Sequence, residues 1–374
     1  MALNKYGFLD QKPMPRHRLL FMNQLKRTVI KVGTNVLTSA NGTLDIALIA
    51  DLVAQIAEAK RQGMEILLVS SGAVGAGRAV VDLPEKLNPV TKRQVYAAVG
   101  QVELMRWYTE LFRQQGMHCA QVLATKEDFR DRLHFVNMKR CLLALLRDNI
   151  VPIINENDVI SVSELMFTDN DELASLTASL VRADGLVILS NVDGVLDENK
   201  QVVPTIQHDN TAVFEKITVK KSSFGRGGML TKLRMCQQAA RLGIDTYIAN
   251  GKKRLLLQLL NGEQVLCTHF PAGKKPSGLK QWMARSEGQT EGSVTINAGA
   301  AAILKDETKT ASLLPVGIVS SKKPFKKSDV IAIEDEQGNV LGIGVASYSS
   351  KKLEPLLGQK GQKELIHYDY LLVY

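Results

Sequence analysis

From Arg27 to about Thr268, short apolar runs alternate with amphipathic stretches. Thr28 to Val32 predicts a strand, and Ile49, Leu52, Val53 and Ile56 recur at helical spacing on a segment that Gly63 stops. The same reading predicts strands at Ile66 to Val69, Cys119 to Leu123, Val151 to Ile154, Leu186 to Leu189 and Thr246 to Ala249. Helices are predicted at Val102 to Gln114, Glu172 to Val181 and Met229 to Leu242. Strands that are apolar almost throughout, separated by helices, define an α/β unit in which helices sandwich a mostly parallel sheet. Ligands of such sheets sit beyond the carboxyl ends of the strands. The polar, glycine-rich stretches fall at those ends: Gly33 to Asn35, Ser70 to Gly77 and Asn155 to Asp158.

The pattern changes at Pro271. Residues 271–289, with Gly273, Lys274, Lys275, Pro276, Ser277 and Gly278, read as a linker. Beyond it, Ser293 to Ile296, Val316 to Val319, Val330 to Glu334 and Val340 to Ala346 read as strands, with a short helix at Gly299 to Leu304 and a turn at Glu336 to Asn339. The expected organisation is therefore an extension over 1–26, an α/β domain over 27–270, the linker, and a β-rich domain over 290–374. A chain of 374 residues fits two cores better than one.

Hydrophobic residues make up 45% of the chain and charged ones 23%, values of an ordinary globular protein. Cys119, Cys141, Cys236 and Cys267 are far apart and lack metal or redox spacing. With no apolar leader in the basic first residues, this predicts a cytoplasmic protein with no membrane segment. The net charge of +9 is localised: between Lys220 and Gln289, thirteen lysines and arginines stand against three acids. After Thr290 the charges cancel. RNA binding by the C-terminal domain is thus unsupported by bulk charge, and the run Lys322, Lys323, Lys326 and Lys327 reads as a solvated loop.

Four stretches carry chemistry. In Thr28 to Asn35, a strand lysine precedes Gly-Thr, which lets backbone N–H groups approach a phosphate beside an ammonium. In Leu67 to Gly77, two serines and three glycines turn a strand into a helix whose N-terminus suits an anion. Val151 to Asp158, followed by Phe167 to Leu173, packs carboxylates and amides at the end of an apolar strand, which suits an ammonium group, Mg²⁺, or both. Gly225 to Lys232 leads glycines into a helix with Thr231 and Lys232 in its first turn, without the spacing of a P-loop.

With these motifs in this order, the chain resembles the amino acid kinase family, and within it the glutamate 5-kinases that carry a C-terminal PUA domain. The resemblance runs from about Thr28 to the C-terminus through K-V-G-T-N, S-S-G-A-V-G-A-G, I-N-E-N-D, D-N-D-E-L, G-R-G-G-M-L-T-K and S-L-L-P-V-G-I. It implies the amino acid kinase fold followed by a PUA-like barrel. It implies ATP with Mg²⁺, and phosphorylation of the γ-carboxylate of L-glutamate as the first step toward proline. Typical members are homo-oligomers inhibited by proline.

Carried over by motif position, Lys31 and Lys232 would bracket the moving phosphoryl group and Asp171 would hold both ammonium groups. Ser71, Asp158 and Asn170 would bind glutamate. Lys31, Ser190, Asn191, Arg226, Gly227, Gly228, Met229, Leu230, Thr231 and Lys232 would bind ATP. Asn191 stands where the family commonly has aspartate, so a charge-dependent role is not expected of it. No protein cage for a metal is predicted. Glutamate's carboxylate is ionised at neutral pH and needs no general base, which leaves His118, His134 and His208 as structural or surface residues. A different small-molecule acceptor is the nearest competing reading, and RNA binding the more distant one.

Overall fold

The computed structural model describes residues 25–39, 42–161, 169–208, 228–274, 290–306 and 311–373. Most of the predicted extension, Phe167 and Thr168, Arg226 and Gly227, and linker residues 275–289 lie outside the described residues.

In chain order the first unit comprises β1 (Arg27–Val32), α1 (Thr34–Leu37), α2 (Ile46–Arg61), β2 (Glu65–Ser70), α3 (Ala73–Val80), α4 (Pro89–Gln114), β3 (Cys119–Ala124), α5 (Lys126–Arg130), α6 (Arg132–Arg147), β4 (Val151–Glu156), α7 (Asn170–Leu180), β5 (Gly185–Ser190), α8 (Met229–Arg241), β6 (Asp245–Asn250), α9 (Leu256–Leu260) and β7 (Cys267–Phe270). Its seven strands form one sheet in the order β3-β4-β2-β1-β5-β6-β7. All pairs are parallel except β6 with β7, which is antiparallel and closes one edge.

The strand period of two assigns each side chain of β1 to a face. Ile30 and Val32 pack with Ile49, Ile56, Leu68, Ile153 and Val187. Val29 faces the other way, into a cluster with Val69, Ile154, Leu173, Ala174, Ile188 and Leu233. Lys31 shares the face of Val29, so the period that builds the core also aims its ammonium at α7 and α8.

Several predicted elements extend further than the pattern indicated. Helix α4 begins at Pro89, not Val102, because Asn88 accepts from the Val90 N–H and Pro89 occupies the first helical turn. Helix α6, started by Asp131 accepting from the His134 N–H, was not predicted. Leu133 stands exposed among its polar residues and breaks the apolar stripe.

The second unit comprises β8 (Gly292–Ile296), α10 (Ala298–Lys305), β9 (Ile318–Lys323), β10 (Val330–Glu334), β11 (Val340–Val345), α11 (Ser350–Leu353) and β12 (Leu371–Val373). The strands form a sheet in the order β12-β11-β10-β8-β9 around Val294, Ile296, Ile331, Ile333, Leu353 and Ile366. The strand predicted at Val316 to Val319 starts only at Ile318, because Pro315 to Gly317 form a 3₁₀ turn. Phe135 of α6 packs both on the core beneath α7 and on Val330 and Ile343 of this second sheet.

Candidate active site

The site grows from three element ends. Lys31 sits next to the end of β1, opposite Val69 and Ile188, and is 3% exposed. A buried ammonium is costly without a counter-charge. The counter-charge is Asp171, fully buried in the first turn of α7, where the helix dipole also favours a carboxylate. Lys31 Nζ lies 2.6 Å from Asp171 Oδ1. On the opposite side Lys232, in the first turn of α8, donates to Asp171 Oδ2 at 2.5 Å.

One carboxylate therefore holds two ammonium groups. Burial works against its ionisation, but Lys31 and then Lys232 outweigh burial and hold the carboxyl down to about 2. Burial likewise works to lower Lys232, and Asp171 and Asp169 reverse this and raise it above the ordinary lysine value. Asp169, absent from the sequence prediction, lies 3.3 Å from Lys232 Nζ and 3.7 Å from Lys31 Nζ. Each ammonium carries three donors, so pairing with Asp171 leaves N–H groups on both sides free to face an anion. Burial and then Asp171 push the thiol of Cys236, one turn after Lys232, well above the ordinary range.

The predicted acceptor residues Ser71 and Asn170 meet beside this clamp. Asn170 Nδ2 donates to Ser71 Oγ at 2.8 Å and to Asn155 Oδ1 at 3.1 Å. Asn155 in turn donates to Gln101 Oε1 on α4 at 2.9 Å. The chain reaches Ser71 because Gly72 adopts φ 107°, a left-handed conformation suited to glycine, between β2 and α3. Asp158 is not in this chain. Its Oδ1 accepts from Arg93 of α4 at 2.6 Å, with Glu156 3.9 Å from the same guanidinium. A cavity of about 260 Å³ lies between α4 and the end of β4, lined by Ala73, Ala97, Gln101, Glu156, Asn157 and Asp158 among others.

Of the predicted nucleotide residues, Gly228 to Lys232 form the start of α8, a thirteen-residue helix whose first N–H groups suit phosphate. Gly228 has open space where a Cβ would stand. Ser190 ends β5, next to the end of β1, and Asn191 is exposed beside it. The acid of that loop is Asp193, bound to Lys253 at 2.7 Å and to Asn250.

The residues missing from the sequence prediction are Arg93, Gln101, Asn155 and Asp169 as individual partners. Asn155 and Asp169 lay inside motifs already singled out. Arg93 and Gln101 lie inside a long helix, and nothing in their local pattern marks them.

A parallel sheet with two lysines from different elements converging on one buried aspartate defines a class, and comparison with known proteins agrees. Residues 26–250 match the amino acid kinase family and residues 292–366 the PUA domain. The chain belongs to the amino acid kinase family, and within it to the glutamate 5-kinases. A glutamate 5-kinase of Chlorobaculum tepidum is 47% identical over 349 residues, spanning 92% of this chain and 97% of that protein. One of Bacteroides thetaiotaomicron is 45% identical over 358 residues, spanning 94% and 99%. A solved carbamate kinase from Giardia lamblia bound to AMP-PNP is a weaker likeness, with TM-score 0.48 and 19% identity over 66% of this chain and 98% of that one.

Proposed function

We propose that the chain transfers the γ-phosphoryl group of ATP to the γ-carboxylate of L-glutamate through the Lys31–Asp171–Lys232 cluster. Membership of the glutamate 5-kinases gives the reaction, the first step of proline biosynthesis. The single observation that carries the residue roles is one buried carboxylate gripping two ammonium groups from β1 and α8. A carboxylate oxygen of glutamate attacks the γ-phosphorus, the bond to the β–γ bridging oxygen breaks, and ADP leaves with those electrons. The attacking oxygen carries no proton at neutral pH, so no base is required. Catalysis is then positioning plus neutralisation of charge on the moving group. Lys31 and Lys232 supply that neutralisation, and Asp171 keeps two like charges close enough to act on one phosphoryl group.

Around this centre, Ser71, Asn170 and Asp158 hold glutamate. The start of α8 and the Ser190–Asn191 loop hold ATP, with Arg226 and Gly227 as the expected continuation of the phosphate loop. Among the described residues no group of three or more His, Cys, Asp or Glu side chains is arranged to hold a metal. Mg²⁺ would be carried on the phosphates and on water, with Asp169, beside both lysines, as the protein carboxylate that would share it. When bound, Mg²⁺ supplies further neutralisation of the β- and γ-phosphates. Residues 27–270 then form the catalytic unit, 271–289 its linker and 290–374 the PUA unit. Among the described residues no helix is long and apolar enough to cross a membrane.

Hydroxylamine trapping tests the reaction. With ATP and L-glutamate the purified chain should form a hydroxamate in step with ADP, and aspartate or N-acetylglutamate should give little. ADP release without hydroxamate would reject a carboxylate acceptor.

A further inference from the structure

Four consecutive side chains at the start of α7 tie that turn to the rest of the fold. Asp169 precedes the helix and turns its carboxylate to Lys232 Nζ at 3.3 Å and Lys31 Nζ at 3.7 Å, so it does not cap the N–H groups of its own helix. Asn170 donates to Ser71, just past β2, and to Asn155 of β4. Asp171 takes Lys31 from β1 and Lys232 from α8. Glu172 reaches α5, where Lys126 Nζ lies 2.7 Å from its Oε1. Three carboxylates in one stretch thus face three lysines from three elements.

The first three of these residues belong to the site, and on the proposed mechanism their contacts are shared with ligands. Lys31 and Lys232 turn free N–H groups to the moving phosphoryl group, and Asn170 meets the acceptor. The Lys126–Glu172 pair is shared with neither. Its side chains are only 25% and 16% exposed, so losing one partner costs more than at an open surface, where ion pairs contribute little. Helix α5 is a firm support for the lysine. Its start is closed by Asp128, whose Oδ2 accepts from the Thr125 N–H at 2.7 Å and from Thr125 Oγ1 at 2.9 Å. Just before it, Ala124 ends β3 beside Glu156 of β4 and accepts from the Asn157 N–H. The grip on α7 therefore comes from the sheet itself.

We propose that Lys126 is a positioning residue for phosphoryl transfer, gripping Glu172 and thereby fixing the turn that aims Asp169, Asn170 and Asp171. This rests on the reading of Lys31, Asp171 and Lys232 as the clamp. Lys126 acts through Glu172 and not on the substrates themselves. Without the lysine, Glu172 loses its ion pair and turns toward water, and Asp171, its neighbour in the same turn, shifts with it. Small shifts matter here, because a misplacement of about 1 Å at a reacting centre can cost ~10²-fold in rate.

A double-mutant cycle on the full chain tests this, with ADP release at saturating ATP and L-glutamate giving kcat per folded molecule. Lys126→Met should lower kcat at least ~10-fold, and Glu172→Gln should lower it by a similar factor. The variant carrying both should lose no more than either alone, because the two residues act as one unit. The KM for ATP should stay within about 2-fold, since the start of α8 holds the nucleotide, and a larger rise with kcat intact would overturn the positioning role. Lys126→Arg restores the charge and should keep most of the turnover. A role limited to stability would lower the melting temperature and leave kcat per folded molecule at the wild-type value, which would overturn the proposal. Losses that multiply in the double variant would overturn it as well. If Lys126→Met does not fold, Glu172→Gln carries the expectation by itself, and an unchanged kcat in that variant counts against the pair. Lys232→Ala separates this from the parent reading. Near wild-type turnover in Lys232→Ala overturns both, whereas a crippled Lys232→Ala beside an unaffected Lys126→Met overturns the positioning role alone.

Discussion

At the scale of single residues, the cluster makes each of its three members necessary for a different reason. On the proposed mechanism Lys232→Ala removes one of the two charges on the moving group, and it should lower kcat by at least ~10²-fold, the range seen when one transition-state donor is removed. Lys31→Arg should be nearly as damaging, because a planar fork cannot replace a compact ammonium packed against Asp171 Oδ1 at 2.6 Å. Steady-state ADP release by each purified variant decides both. Asp171→Asn should cut kcat more than the KM for glutamate, since the residue contacts the lysines rather than the acceptor. The same residue makes a prediction in pH. Against burial, Lys31 and Lys232 hold its folded carboxyl down to about 2, below the ordinary 3.8, so its ionised form contributes stability present above the ordinary value and lost as pH falls toward about 2. Asp171→Asn should therefore melt lower at neutral pH, where two buried ammonium groups lose their partner, and should lose less on acidification from about pH 5 to about pH 2. Thermal melts of both proteins across that range measure the difference, and parallel acid limbs would contradict it.

At the scale of elements, α3 and α4 meet backbone to backbone, and two glycines allow it. A Cβ on Gly100 would lie 1.8 Å from the Ala73 carbonyl oxygen, and one on Gly77 would lie 1.9 Å from that of Tyr96. Neither neighbour can yield, because each is the main chain of a helix. The contact sets the width of the cavity between α4 and the end of β4, since Ala73 comes from one helix and Gln101 from the other. Gly100→Ala should cost at least the ~1–3 kcal/mol of ordinary overpacking and raise the KM for glutamate as the helices separate. Urea unfolding and glutamate titration measure the two effects, and unchanged values for both would mean that the contact relaxes freely. The contact also marks a limit of what the sequence discloses. The Ser70 to Gly77 motif announced a turn and an anion site through its local composition. That Gly77 meets a helix starting at Pro89 is tertiary, and no period in the sequence encodes it. The clamp was legible because Lys31, Asp171 and Lys232 each stand at a strand or helix end inside a polar motif. Arg93 and Gln101 were not, because a polar residue in mid-helix reads as surface until the fold places it against a cavity.

At the scale of the whole molecule, the two units were legible from the change of pattern near Pro271, while the way they touch was not. Phe135 belongs to α6, which the periodicity did not predict, and it packs on Val330 and Ile343 of the second sheet as well as on the core beneath α7. An apolar side chain shared by two cores couples their stabilities, because opening one exposes a surface that the other had covered. Phe135 is half-buried, so truncation should cost about 2 kcal/mol, roughly half of what a fully buried Phe→Ala costs. If the PUA unit draws that much of its stability from the kinase unit, Phe135→Ala should speed amide exchange in β10 and β11 by roughly 30-fold. Exchange in β1 and β5, at the centre of the seven-stranded sheet, should change far less, because their protection comes from neighbours on both sides. Hydrogen exchange followed by mass spectrometry resolves the segments, with the wild type as reference. Equal exchange of Val330–Glu334 in both proteins would mean that the second unit is stable by itself and that the contact at Phe135 orients it without supporting it.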